Sequence, residues 1–241
     1  MPAEVTCARP RGAADPRDPL PAYGDRRRVR VGLLGGSFNP AHDGHRYISL
    51  EALKRLDLDE VWWLVSPQNP LKSSRGMAPQ TERADGARMV AAHPRIRVTT
   101  IESRLGTRYT ADTLRVLRLR YPLARFVWIM GADNLVQIDR WRRWSSIFRT
   151  LPVAVFDRSP YSYQALASKA ARRFARDRLP LRKAPVLAGT RAPAWVFLPI
   201  RRHPQSATAI RAGRHGAGGS PGGSRGATGH GAHRFANGAK P

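Results

Sequence analysis

The residues with the clearest chemical meaning are His42 and His45, in the run Gly35-Gly36-Ser37-Phe38-Asn39-Pro40-Ala41-His42-Asp43-Gly44-His45. Two histidines three apart at the start of a helix share one face. The first turn of a helix also offers unpaired N–H donors and a partial positive charge, which together favour a phosphate. Gly35 and Gly36 remove side chains where a sharp turn is expected, so a ligand can approach the peptide N–H groups. Pro40 stiffens the loop. Imidazoles beside such a site can donate hydrogen bonds to oxygens whose charge grows during phosphoryl transfer. The blander readings are a zinc pair or two satisfied surface histidines. Zinc is disfavoured, because Cys7 is the only cysteine and no carboxylate cluster accompanies the pair. Placed behind Gly-Gly and directly after a first buried strand, the histidines read better as phosphate ligands.

The elements that must hold this segment follow from hydrophobic patterning. Arg28 to Leu34 is an apolar run typical of a buried parallel strand. Ile48, Leu50, Ala52, Leu53 and Leu56 then predict a helix over about 44–56. Further strands are predicted at 61–65, 95–101, 126–130, 152–156 and 195–198, and helices at 79–92, 111–119, around 141–148 and at 163–176. Trp62, Trp63 and Trp128 fall in strands and are expected in the core. Strands alternating with helices imply βαβ units with right-handed crossovers. The expected fold is α/β, a Rossmann-like, doubly wound, mainly parallel sheet in one domain over residues 28–212. Such sheets bind ligands beyond the carboxyl ends of their strands. Residues 1–27 lack periodicity and read as a flexible leader. Residues 213–241 are rich in Gly, Arg and His and read as a disordered tail.

Composition narrows the functional classes. The chain has 241 residues and a formal net charge of +25. Its basic residues are scattered and form no long block interleaved with aromatics, so anionic small substrates are preferred over nucleic acid as partners. No apolar run is long enough to span a bilayer and no signal-like segment is visible, which predicts a cytoplasmic protein without a membrane partner. The oligomeric state is open, with a homo-oligomer possible.

The Gly-Gly-Ser-Phe-Asn-Pro-x-His-x-Gly-His segment resembles the signature of the nucleotidyltransferase superfamily that carries a His-x-Gly-His motif. Ser206-Ala207-Thr208-Ala209-Ile210-Arg211 resembles its second, Ser-rich signature. Three more segments resemble bacterial nicotinate-nucleotide adenylyltransferases: Ser66-Pro67-Gln68-Asn69-Pro70-Leu71-Lys72, Tyr109-Thr110-Ala111-Asp112-Thr113-Leu114, and Gly131-Ala132-Asp133-Asn134-Leu135 followed by Trp141 and Trp144. The likeness covers about residues 28–211. Ser37 and Asn39 stand where many members have Thr and Asp, and the Gly-rich tail stands where members usually continue with a helix.

The resemblance implies transfer of AMP from ATP, carried with Mg2+, to nicotinate mononucleotide, giving deamido-NAD and pyrophosphate in NAD biosynthesis. It implies His42 and His45 as the catalytic contacts to the ATP phosphates. ATP would be bound by Gly35, Gly36, Ser37 and Phe38, by Asp133 at the adenosine end, and by Ser206, Thr208 and Arg211 on the triphosphate. Asn69 and Lys72 would hold the nucleotide phosphate. Trp141 would stack on the pyridine, with backbone N–H groups near Thr110 and Arg142 for its carboxylate. For Asp133 the residue types also allow a plain helix cap, and for Trp141 a core position. Two rivals stay open: a sibling adenylyltransferase acting on nicotinamide mononucleotide or phosphopantetheine, and a non-catalytic, basic RNA-binding protein using the Arg/Gly tail.

Overall fold

The run Glu60-Val61-Trp62-Trp63-Leu64-Val65 shows how this sequence builds its layers. All six residues are buried, and side chains of a strand alternate between faces. Trp62 therefore packs on one side of the sheet and Trp63 on the other. Trp62 meets Tyr121 and Phe126 edge-on at 5.2 and 5.5 Å between ring centroids. Trp63 stacks on Phe38 at 5.0 Å. A strand buried on both faces needs helices above and below it, which is the parallel, doubly wound solution.

The computed structural model describes residues 17–21, 24–67, 76–157 and 162–201. In chain order they form β1 (Arg30–Gly36), α1 (Asp43–Arg55), β2 (Glu60–Val65), α2 (Gln80–Ala91), β3 (Ile96–Thr99), α3 (Ile101–Leu105) and α4 (Thr110–Arg120). There follow β4 (Arg125–Gly131), α5 (Ala132–Gln137), α6 (Trp144–Thr150), β5 (Val153–Asp157), α7 (Ser162–Leu166), α8 (Lys169–Arg173) and β6 (Trp195–Pro199). The six strands lie in the order β3-β2-β1-β4-β5-β6, and every pairing is parallel. The order reverses between β1 and β4, so the crevice beyond their carboxyl ends is the place for a ligand. One core lies against α3, α4, α6 and α8, through Ile101, Leu114, Leu117, Phe148 and Phe174. The other lies against α1 and α2, through Ile48, Ala52, Ala84 and Ala87.

The predicted strands and longer helices are present. The helix expected over 163–176 instead breaks into α7, α8 and a 3-10 turn at Ala175–Asp177. Ser168 causes the break: its hydroxyl accepts from the Ala171 N–H at 3.2 Å and starts a new helix. The short helices α3 and α5 and the 3-10 stretch Leu181–Gly189 were not expected. The first two are five and six residues long, too short to show a period.

Packing also begins earlier than Arg28. Leu20 is 2% exposed within the core, and Tyr121 donates its hydroxyl hydrogen to the Pro21 carbonyl at 2.7 Å. Asp18 accepts from the Thr99 hydroxyl at 2.8 Å and the Thr100 N–H at 3.0 Å, and pairs with Arg104 at 3.2 Å. One leucine and one aspartate leave no periodic trace in a sequence, although together they fasten this segment. Residues 1–16, 22–23 and the tail at 213–241 lie outside the described residues.

Candidate active site

At the carboxyl end of β1 the chain does not turn where the glycines stand. Gly35 and Gly36 both belong to β1. A Cβ on Gly35 would come within 2.5 Å of the Trp128 ring, so glycine is needed there for close packing against β4. The turn itself falls at Phe38, whose φ is +48°. That left-handed conformation costs a residue with a Cβ roughly 1–2 kcal/mol. Packing holds it: Phe38 is 2% exposed, stacked on Trp63 and 4.8 Å from the His45 ring.

His42 and His45 then form the start of α1. His42 is its N-cap, 4% exposed, with extended backbone at φ −154° and ψ 166°. The Gly44 N–H donates to His42 Nδ1 at 3.1 Å, and the His42 N–H donates to His45 Nδ1 at 3.3 Å. This is a capping box built from two imidazoles instead of Ser and Glu. The rings lie 3.9 Å apart between centroids. The His45 backbone is fixed in turn, since its carbonyl accepts from the Ser49 hydroxyl at 2.8 Å, which accepts from Trp63 Nε1 at 2.7 Å. An Nδ1 that accepts leaves the proton of a neutral imidazole on Nε2. The cap thus engages Nδ1 of each ring, and in the neutral form Nε2 is a donor. His42 is thus buried and His45 half-buried, which does not fit a pair of surface histidines. Among the described residues no group of three His, Cys, Asp or Glu side chains is placed to hold a metal.

Gly131 ends β4 beside β1 and is the N-cap of α5, so Asp133 lies in the first turn of that helix and makes no side-chain cap. Asp133 Oδ1 is buried with no hydrogen-bond partner among the described residues. A buried, unsatisfied carboxylate oxygen at the crevice is what a ligand hydroxyl would complete.

The segments expected to hold the pyridine do meet. The Arg142 guanidinium sits over the Tyr109 ring at 4.7 Å, and Arg143 pairs with Asp112 at 3.3 Å. These contacts bring the start of α4, with Thr110, against residues 141–143. Thr110 is the first residue of α4, and its N-cap Tyr109 supplies no side-chain acceptor. The Asp112 and Thr113 N–H groups donate to the Tyr109 carbonyl at 2.9 and 3.0 Å, which leaves the Thr110 and Ala111 amides for an anion. Trp141 is half-buried at the edge of the core, whereas Trp144 packs edge-on against Phe148 and Phe174. Asn69, Lys72, Ser206, Thr208 and Arg211 lie outside the described residues.

Three residues that sequence reasoning passed over shape these turns. Thr113 Oγ1 lies 2.9 Å from both Glu102 Oε1 and Thr107 Oγ1, which ties α3 to α4. Burial pushes the Glu102 carboxyl up to about 7, partly offset by the Thr113 hydroxyl. Arg83, 4% exposed, donates to the carbonyls of Ala78, Ser37, Ser66 and Pro67 at 2.6–3.1 Å. One signal for it was available: Arg83 stands four residues before Ala87 on the stripe that also holds Ala84 and Ala91, a cation on the apolar face of its helix.

Comparison with known proteins identifies the family. The sequence profile of the cytidylyltransferase-like family matches residues 33–213. A probable nicotinate-nucleotide adenylyltransferase of Bradyrhizobium sp. strain BTAi1 is 56% identical over 183 residues, 76% of this chain and 95% of the relative. A protein of the same description from Cereibacter sphaeroides is 57% identical over 182 residues, covering 76% and 96%. Among solved structures, the nicotinic acid mononucleotide adenylyltransferase of Plasmodium falciparum complexed with APC superposes with a TM-score of 0.54 at 14% identity. That superposition covers 76% of this chain and 83% of the other. Its complex with NaAD gives 0.52. At that identity the likeness concerns the fold.

Proposed function

The chain belongs to the cytidylyltransferase-like family, and we propose that it transfers AMP from ATP to nicotinate mononucleotide, giving deamido-NAD and pyrophosphate. It is a nucleotidyltransferase, and relatives at 53–57% identity bear the name nicotinate-nucleotide adenylyltransferase. The observation that carries the chemistry is the double-imidazole cap at the end of β1, which commits both Nδ1 atoms to the backbone.

An oxygen of the acceptor's 5′-phosphate attacks the α-phosphorus of ATP. A phosphorus–oxygen bond forms as the bond to the bridging oxygen breaks, and that oxygen leaves with pyrophosphate. The attacking phosphate is already anionic, so no general base is required, and the enzyme forms no covalent intermediate. Its task is to bring two anionic groups together and stabilise the charge that develops in flight. The Nε2–H groups of His42 and His45 supply donors for that charge. Ser37 and the backbone of Gly35, Gly36 and Phe38 line the same edge. Asp133 Oδ1 accepts from the adenosine end. Trp141 stacks on the pyridine, and the amides near Thr110 and Arg142 take its carboxylate. In this reading Asn69 and Lys72 hold the mononucleotide phosphate, and Ser206, Thr208 and Arg211 hold the triphosphate. Mg2+ would come with ATP, held by phosphate oxygens and water, and would neutralise triphosphate charge. Among the described residues no helix is long and apolar enough to cross a membrane, and the reading places the enzyme with the cytoplasmic nucleotide pool.

The test is product identification. Purified protein with ATP, Mg2+ and nicotinate mononucleotide should release pyrophosphate and deamido-NAD in a one-to-one ratio. Pyrophosphate without the dinucleotide, or no turnover, contradicts the reading.

A further inference from the structure

Arg83 is buried without a carboxylate among its partners in the described residues, and the desolvation lowers its pKa. A charge in that position is costly unless its hydrogen bonds hold something in place. Its partners come from three segments: Ser37 after β1, Ser66 and Pro67 after β2, and Ala78 before α2. Asn39 adds a second tie between the first and third, donating from Nδ2 to the Gly76 carbonyl at 3.1 Å.

The consequence lies in the peptide plane between Ser37 and Phe38. The Ser66 N–H donates to the Gly36 carbonyl at 3.0 Å, which extends the β1–β2 pairing one step beyond Val65. A continued parallel ladder would next use the Ser66 carbonyl as acceptor for the Phe38 N–H. Arg83 occupies that acceptor at 2.9 Å and draws the Ser37 carbonyl to itself at 2.6 Å. In a trans peptide the N–H points opposite to the preceding carbonyl. Holding the Ser37 oxygen on Arg83 therefore aims the Phe38 N–H away from Arg83, and that N–H makes no hydrogen bond among the described residues. The left-handed φ of Phe38 belongs to the same arrangement.

We propose that Arg83 is a positioning residue that, by holding the Ser37 and Ser66 carbonyls, turns the Phe38 amide into a donor for the triphosphate of the nucleotide. This rests on the adenylyltransferase reading for the identity of the anion. The geometry, with the three nitrogens of one planar guanidinium reaching four carbonyls, is one that a lysine cannot reproduce.

The test uses the full-length protein and Arg83→Lys, with Arg83→Met as a second variant. Calorimetry measures binding of tripolyphosphate alone and adenosine alone, and pyrophosphate release gives kcat. Arg83→Lys keeps the charge but should lose at least tenfold in tripolyphosphate affinity and in kcat, with adenosine affinity within twofold of wild type. Arg83→Met should lose more of the first two. If Arg83→Lys binds tripolyphosphate and turns over like wild type, the inference fails. It also fails if adenosine affinity falls in parallel, which marks general damage to the fold. Failure of the functional reading shows separately, as a wild-type enzyme that makes no deamido-NAD.

Discussion

The turn after β1 and the turn before α4 stand on the carboxyl edge of the same sheet, yet they are secured by buried groups of opposite character. Behind the first is Arg83 among four carbonyls. Behind the second is Glu102 among threonine hydroxyls. An arginine keeps its charge at any working pH, so the turn after β1 is braced by a permanent cation. A glutamate raised to about 7 by burial is protonated or ionised according to the medium. The first turn is thus built to hold one geometry, and the second carries a titratable joint.

The comparison breaks first at His45. If the first turn supplies transition-state donors, His45→Ala should lower kcat about 10²–10³-fold, the magnitude of removing one such donor. Its cost in stability, as a lost cap partner, should be only about 1 kcal/mol. Steady-state kinetics and a thermal melt check both, and unchanged turnover would remove the histidines from the mechanism.

Glu102 sharpens the other half. A folded-state pKa above the unfolded one means the folded chain holds a proton that the unfolded chain has released. That stabilisation is complete below the ordinary glutamate range and is lost as pH rises toward about 7. Glu102→Gln keeps an acceptor for Thr113 and should flatten this slope. The variant should gain roughly 3 kcal/mol over wild type between pH 4 and pH 8, read by denaturant unfolding across pH. Parallel pH profiles for the two proteins would show that the carboxyl is not titrating as described.

A smaller effect is expected at Trp141. Trp141→Ala should raise KM for the pyridine mononucleotide about tenfold, the scale of one aromatic stack, and leave KM for ATP within twofold. An equal rise in both would make Trp141 a packing residue and not a ligand of the pyridine.

The two turns also differ in how far the sequence disclosed them. The first was legible because its parts are local: a buried strand, a Gly-Gly pair and two histidines within eleven positions. Even there the reasons shifted, since Gly35 makes room for Trp128 and the turn belongs to Phe38. The second turn depends on contacts between distant segments. Glu102 meets Thr113 through the fold, and Asp18 reaches Thr99 across 81 positions. Neither leaves a periodic or motif-like trace. The parallel, doubly wound sheet followed from alternating elements and the rules of parallel crossovers, whereas α3 and α5 were too short for a period to declare them.

The most direct measurement of the central claim is the rate of pyrophosphate release from ATP with nicotinate mononucleotide, nicotinamide mononucleotide and phosphopantetheine in parallel. The account predicts a kcat/KM for the nicotinate form at least tenfold above either other acceptor. Equal rates on the two pyridine nucleotides, or a preference for phosphopantetheine, would contradict it.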